Sequence, residues 1–415
     1  MDKRMTIARP ESHGFDALGL ARIDALLKQR YIDSGKLPHT QILIARDGDI
    51  VHFNSQGTAR ASDSKGGGTA VDESSLFRIA SMTKPITSIA FMMLVEEGLV
   101  AVDTPVHHVL PEFKNLGVYA GGGAGVPFLT RPTDEPMRMI DLLRHTSGLT
   151  YSFQNRSNID AAYREGKIEN WHGNLDLDGF IAALAALPLE FSPGTAWNYS
   201  VATDVLGAVI QRVSGISLDE FFTTRLFKPL QMHDTFFQVP EDKVDRLTDC
   251  YTFVPGKGRI MFDRGEASVW SRKPKLLSGG GGLVSTALDY HRFNTMLLNG
   301  GTLDGVRIVG RKTLELMTQN HLPGKSDLAA MSKSLFSEAA NAGTGFGLGF
   351  AVNIDVARSM IPGSVGEYYW GGMFSTAFFV DPVEKISMVF MTQMSPSSVY
   401  PIRRELKTLI YSALI

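Results

Sequence analysis

The sequence predicts an α+β fold: one antiparallel sheet built from both ends of the chain, flanked by helices, with a mostly helical region inserted between. Three observations carry this expectation. Short β-like apolar runs gather near the two termini. Stripes with helical spacing fill the middle. The 415 residues, 44% of them hydrophobic, suffice for a sizeable core and about two to three folding units.

The elements follow in chain order. Residues 15–31 carry Leu18, Leu20, Ile23, Leu26 and Leu27 at helical spacings. Residues 41–45 and 50–53 are apolar runs around Arg46-Asp47-Gly48-Asp49, so an Asp-Gly turn predicts a hairpin. Residues 76–79 read as a strand, and 86–100 as an apolar helix. Helical segments are expected at 139–144, 178–187, 201–213, 218–227 and 287–298. Short strands return at 366–370, 376–380 and 386–392, punctuated by Gly371-Gly372 and Asp381-Pro382, and 401–415 closes as an amphipathic helix. The glycine tracts 66–68, 121–125 and 279–282 read as loops. The division expected is a discontinuous sheet domain, 1–84 with 285–415, and a mostly helical domain, 85–284, with a site in the cleft between them.

Composition excludes several functions. The 41 Lys+Arg against 43 Asp+Glu leave no basic surplus for nucleic acid. One cysteine, Cys250, permits neither an intrachain disulfide nor a zinc-ribbon spacing. The longest strongly apolar stretch, 89–95, falls far short of the ~20 residues of a membrane span. The first residues show no signal-peptide pattern. A cytoplasmic protein without membrane or nucleic-acid partners is expected. No GxSxG elbow, HExxH, GxGxxG or complete P-loop occurs, so metal and nucleotide cofactors have no motif behind them.

The pattern Ser-x-x-Lys occurs at Ser62–Lys65 and again at Ser81–Lys84. The first lies in a Ser- and Gly-rich loop that cannot fix geometry. The second follows a strand and opens a helix, with Pro85 where a helix's first turn tolerates it. Residues i and i+3 share a helical face, so the Lys84 amine can reach the Ser81 hydroxyl. The helix N-terminus favours negative charge there. A serine needs such a base to become a nucleophile. The plainer alternative is that Ser81 caps a helix and Lys84 is solvated. Two further segments bear on the choice: Pro193-Gly194-Thr195 leading to Tyr199-Ser200, and Tyr368-Tyr369-Trp370-Gly371-Gly372-Met373, whose glycines would let a ligand approach the backbone.

With these segments in place, the sequence resembles the serine β-lactamase and penicillin-binding superfamily, specifically class C β-lactamases and family VIII carboxylesterases. The likeness runs from about Gly14 to the C-terminus. It rests on residues 77–85, on Leu142-Leu143-Arg144-His145-Thr146-Ser147-Gly148-Leu149, on Pro193 through Ser200, on Gly279 through Leu283, and on Trp370-Gly371-Gly372. The resemblance implies that Ser81 forms an acyl-enzyme and that Lys84 and Tyr199 share base and acid work. It implies that the Ser81 and Met373 N–H groups form an oxyanion hole, and that no cofactor or metal is needed.

Two departures shift the expected substrate. Val201 stands where the lactamases carry Asn in Tyr-x-Asn, and Trp370-Gly371-Gly372 replaces their Lys-Thr-Gly. Losing that cation leaves an anionic substrate poorly paired and favours neutral or aromatic groups. The expectation is a serine hydrolase of small-molecule carboxylic esters, with short acyl chains and small or aromatic alcohols. The alternatives are a β-lactamase or D-amino-acid peptidase, an acyltransferase, or a non-catalytic ligand-binding module. Trp370 reads equally as core or substrate wall; Tyr151 and Phe153 are candidates for the pocket lining, with Gly371 and Gly372. His145 reads as a structural residue bonded to backbone. Residues 117–128 read as a flap or a solvated connection. The oligomeric state is open.

Overall fold

The computed structural model describes residues 5–61, 68–170, 172–333 and 342–415. Ser62 to Lys65, the other Ser-x-x-Lys, lies outside the described residues.

The sheet has eight strands: β1 (His39–Arg46), β2 (Asp49–Arg60), β3 (Thr69–Ala70), β4 (Thr344–Phe346), β5 (Ala351–Asn353), β6 (Tyr368–Gly371), β7 (Ala377–Asp381) and β8 (Ile386–Met391). Their spatial order is β4-β5-β6-β7-β8-β1-β2-β3, every neighbour antiparallel. The sheet is therefore closed in its middle by a chain-end pairing, with Gln41 opposite Met391 and Arg46 opposite Ile386. The β1–β2 turn places Asp47 and Gly48 at φ 53° and 91°. Two positive φ values in succession suit the right-handed twist of a tight hairpin.

Each strand alternates its side chains between two apolar layers. Ile42, Ile44, Phe379, Met388 and Phe390 face α1 (Ala17–Leu26) and the C-terminal helix α5 (Ile402–Ser412). Leu43, Ala45, Phe378, Val380, Val389 and Met391 join the cluster that includes the central helices α2 (Thr83–Glu96), α3 (Ala202–Ser214) and α4 (Ala287–Leu298). Polar side chains fix helix starts: Asp16 accepts from the Leu18 and Gly19 N–H groups, and Thr286 from Asp289 N–H. Helix α2 is buried from Thr83 to Leu94: its apolar run begins at Ile89, and the polar Thr83, Lys84, Thr87 and Ser88 of its first turns are buried as well.

Two expectations change, and two strands carry no signal in the sequence. The glycine tract 121–125 is no loop: Val118–Gly123 and Val126–Arg131 pair as a hairpin, with positive φ at Gly122, Gly123 and Gly125. The middle of the chain also contributes strands Cys250–Val254 and Gly258–Asp263, which join Met394–Ser395 in a second sheet. Strands β4 and β5 lie in a glycine-rich stretch too short to show a period. Among the described residues no helix is long and apolar enough to cross a membrane.

Buried histidines give the fold an acid limit. Burial lowers His39 and His291 to about 4. His39 Nδ1 sits 2.9 Å from the Thr58 carbonyl, so this ring is held neutral as a donor. Between the unfolded value near 6.5 and about 4, the unfolded chain binds protons that the folded chain refuses. Stability is therefore intact above pH 6.5 and falls as pH drops toward 4, by about 2–3 kcal/mol per histidine. Urea unfolding at pH 7 and pH 4.5 measures this, and His291→Gln should narrow the gap between the two.

Candidate active site

The site begins at a buried arginine. The short strand Phe77–Arg78 pairs with Val284–Ser285. Arg78, fully buried, donates to Thr248 O at 2.7 Å and to Ser268 Oγ at 3.0 Å, and pairs with Asp263. Beyond it the backbone turns sharply at Ala80, which has φ 44°. A left-handed alanine costs about 1–2 kcal/mol and persists only where packing fixes it. Here Ala80 is buried, and Tyr290 Oη donates to Met82 O at 2.9 Å. The 3-10 turn Ala80–Met82 then runs into α2 at Thr83, so Ser81 stands at the helix entrance and Pro85 in its first turn.

Around Ser81 the sequence-predicted residues come together. Tyr199 Oη lies 2.6 Å from Ser81 Oγ, and Lys84 Nζ lies 3.3 Å from it. Lys84 is 2% exposed and also donates to Gly280 O at 2.6 Å and to Tyr151 Oη at 3.0 Å. An ammonium has three donors, and these three oxygens satisfy them. The same nitrogen sits 4.6 Å from the centroid of the Tyr199 ring, where a cation stabilises both the ring and a charge on its oxygen. The Tyr199 ring is wedged among His145 at 5.0 Å, Tyr151 at 5.2 Å and Trp370 at 5.4 Å. Such a cluster can draw the proton from a serine and return it to a leaving group.

Behind Lys84 is a buried carboxylate that sequence reading passed over. Asp204, on α3, accepts from Gly280 N–H at 3.0 Å and from Ser278 Oγ, and its Oδ2 lies 3.5 Å from Tyr151 Oη. Burial raises its pKa, while Lys84 and these donors lower it. Its signal was present in the sequence: one acid in the otherwise apolar start of a helix, Val201-Ala202-Thr203-Asp204-Val205-Leu206. The glycine run packs against it. A Cβ on Gly280 would stand 2.3 Å from Asp204 Oδ2, and one on Gly279 would stand 2.8 Å from Thr203 O. These glycines allow the close approach that presents Gly280 O to Lys84.

Other residues fall differently from expectation. Tyr151 is buried between Lys84 and Asp204. Burial first, then Asp204 and Tyr199, push its pKa well above 10, so it stays a phenol. Phe153 is half exposed and stacks on Tyr151 at 4.9 Å. Trp370 is buried, edge-on to Phe346 at 5.4 Å, and its indole N–H has no partner among the described residues. Met373 is 39% exposed, and its N–H donates to no acceptor among the described residues. The glycines before it serve the protein's own groups. A Cβ on Gly371 would meet the Arg403 guanidinium at 2.5 Å, and one on Gly372 would meet Ile79 O at 2.5 Å. His145 bonds a side chain, not backbone: its Nδ1 is 3.3 Å from Ser200 Oγ. Burial, then the Lys84 charge, holds it well below its usual pKa and neutral. Val201 is buried at the start of α3. Among the described residues no group of three or more His, Cys, Asp or Glu is placed to hold a metal.

Glu169 adds a pH dependence. It accepts from the Ser152 N–H, next to Tyr151, and burial raises its pKa to about 7. The folded chain therefore binds this proton more tightly than the unfolded chain, whose value is near 4.5. Stability falls as pH rises from 4.5 to 7. Glu169→Gln should be more stable than the parent at pH 8, by about 2 kcal/mol, with the advantage shrinking toward pH 5. Equal melting temperatures of the two proteins at pH 8 would contradict this.

An α+β fold in which a Ser-x-x-Lys turn opens a buried helix beside an antiparallel sheet defines the serine β-lactamase-like class of proteins. The chain belongs to the β-lactamase family, whose model matches residues 23–411. It is 30% identical over 400 residues to Esterase EstB of Burkholderia gladioli, covering 92% of this chain and 93% of that protein. Among solved structures it is similar to EstCE1, described as a hydrolase with promiscuous acyltransferase activity, at 25% identity and a TM-score of 0.76 over 95% of this chain and 99% of that one. It is also similar in fold to a family VIII carboxylesterase, at 19% identity and a TM-score of 0.71 over 99% of this chain and 98% of that one.

Proposed function

We propose that the chain is a carboxylesterase that hydrolyses small-molecule esters through an acyl-enzyme on Ser81. The observation that carries this reading is the 2.6 Å approach of Tyr199 Oη to Ser81 Oγ above the Lys84 ammonium. Ser81 Oγ attacks the ester carbonyl carbon, and its proton passes to the Tyr199–Lys84 pair. The N–H groups of Ser81 and Met373 receive the oxyanion, each such donor lowering the barrier by about 3 kcal/mol. Collapse breaks the bond to the alkoxy oxygen, which leaves with the proton as the alcohol. Water then adds to the acyl carbon, gives its proton to the same pair, and the carboxylic acid departs as Ser81 regains its proton. Asp204 and Tyr151 act on this centre by holding Lys84.

Trp370 and Val201 support esters over β-lactams. Strand β6 carries an indole where the lactamases place a cation, so a substrate carboxylate would lack its partner. The same indole, with Phe153 at the rim, suits short acyl groups and small or aromatic alcohols. Acyl transfer to an alcohol is the second reading, supported by the description of EstCE1. One buried cysteine makes no demand on an oxidising compartment, which fits the cytoplasmic location we propose.

Turnover of p-nitrophenyl butyrate beside a chromogenic cephalosporin tests the reading. Ester hydrolysis should exceed cephalosporin hydrolysis by at least ~10³-fold in kcat/KM, a difference of about 4 kcal/mol in barrier. A ratio near one or below would overturn it.

A further inference from the structure

A cavity of about 400 Å³ lies on the opposite face of the sheet from the α2 layer, between β4–β7 and the first turns of α5. That volume is within the range of small-molecule sites. Its apolar wall includes Tyr369, Phe379, Met388 and Tyr400. Its polar wall includes Asn353, Arg403 and Arg404.

Asn353 is the informative residue. It is 2% exposed, and among the described residues neither its Oδ1 nor its Nδ2 has a hydrogen-bond partner. Buried polar groups are nearly always satisfied, and an amide left with both ends unpaired invites a ligand that accepts at one atom and donates at the next. The charges beside it narrow the choice. Glu367 is already held by Lys407 at 2.5 Å and by Tyr411 at 2.6 Å. Arg404 donates to the Met360 carbonyl at 3.1 Å, a neutral acceptor. The cavity therefore presents positive charge, an aromatic wall and an amide that wants one donor and one acceptor.

One of these groups reaches the active-site strand. Arg403 Nη2 donates to Gly372 O and to Thr376 O, both at 2.7 Å. Those carbonyls flank Met373, and the guanidinium fills the space over Gly371.

We infer that this cavity binds a small aromatic carboxylic acid bearing a neighbouring hydroxyl, and that its occupancy is transmitted to the Gly372–Thr376 turn through Arg403. The carboxylate accepts from Asn353 Nδ2 and a guanidinium, the hydroxyl donates to Asn353 Oδ1, and the ring lies on the tyrosines. The binding part stands on the cavity alone. The coupling rests on the carboxylesterase reading, whose acid product shares this carboxylate chemistry. Coupling is reciprocal, so an ester analogue at Ser81 must change the affinity for the acid by the same factor that the acid changes the affinity for it.

Calorimetric titration of Ser81→Ala protein with mandelate and 3-phenyllactate tests binding without any turnover. One equivalent should bind with submillimolar affinity, and phenylacetate, which lacks the hydroxyl, should bind at least ~10-fold more weakly. Asn353→Leu and Asn353→Ala should each lose at least ~10-fold in affinity; the smaller side chain covers the case in which leucine does not fit. In the parent enzyme, mandelate should change the KM for p-nitrophenyl butyrate up to a saturating limit, unlike a competitor, and both Asn353 variants should lose that effect. No heat up to 10 mM, or binding unchanged in both variants, overturns the site. Binding that disappears in the variants but leaves turnover and the affinity for a phosphonate ester untouched overturns the coupling alone. Failure of the esterase reading itself shows separately, as absent turnover in a parent protein that still binds the acid.

Discussion

Ser81→Ala should leave no ester turnover above background, a fall of at least ~10⁴-fold in kcat. The side chain lost is one hydroxyl at the entrance of α2, where Tyr199 and Lys84 converge, so the fold should survive and circular dichroism should be unchanged. Intact-mass analysis gives the sharper readout. A fluorophosphonate should add one equivalent to the parent protein and nothing to the variant. Persistence of the adduct would mean that another serine is the nucleophile. Ser62→Ala serves as the control: it should keep both the adduct and full turnover, since the catalytic work is assigned to the other Ser-x-x-Lys.

Tyr199→Phe and Lys84→Met should both lower kcat by about 10²–10⁴-fold, but they should differ in stability. Removing the phenol oxygen leaves the ring in place against His145, Tyr151 and Trp370, so the melting temperature should hardly move. Removing the amine takes away the cation that lowers the Asp204 pKa, leaving a buried acid and three oxygens without their donor. Breaking a buried charge pair from one side costs about 3–5 kcal/mol. The double variant Lys84→Met/Asp204→Asn should recover part of that stability and none of the activity. Full activity in Tyr199→Phe would remove the phenol from the mechanism.

The residues legible in the sequence were those whose neighbours lie close along the chain. Ser81 and Lys84 are three apart, and helical spacing alone puts them on one face. The β1–β2 hairpin was legible because Asp47-Gly48 states its own turn. Tyr199 lies more than a hundred residues from Ser81, and no local pattern joins them; the family resemblance did. Asp204 was missed because a single acid in an apolar helix declares burial without declaring a partner. The letters around Tyr151 allow both packing and pocket lining; its hydrogen bonds to Lys84 and Asp204 join segments that no local pattern connects. The glycine run at 279–282 reads as a loop and folds as a turn. Its role, the close approach of Gly280 to Asp204, needs both segments in space. Strands β4 and β5 span too few residues to show alternation, and their pairing to β6 supplies what the pattern lacks.

The pairing of β1 with β8 has a consequence for how the molecule is made. During synthesis the β1–β2 hairpin emerges early, but the strand that covers its free edge, Ile386–Met391, emerges only after roughly 330 more residues. At ribosomal speeds of about 5–20 residues per second, that edge waits for ~20–70 s with its hydrogen-bonding groups exposed. An uncovered edge of apolar strand recruits other chains. Soluble yield should therefore rise with chaperone supply and slower initiation, and truncations just short of Ile386 should aggregate even though they retain the whole serine–lysine–tyrosine cluster.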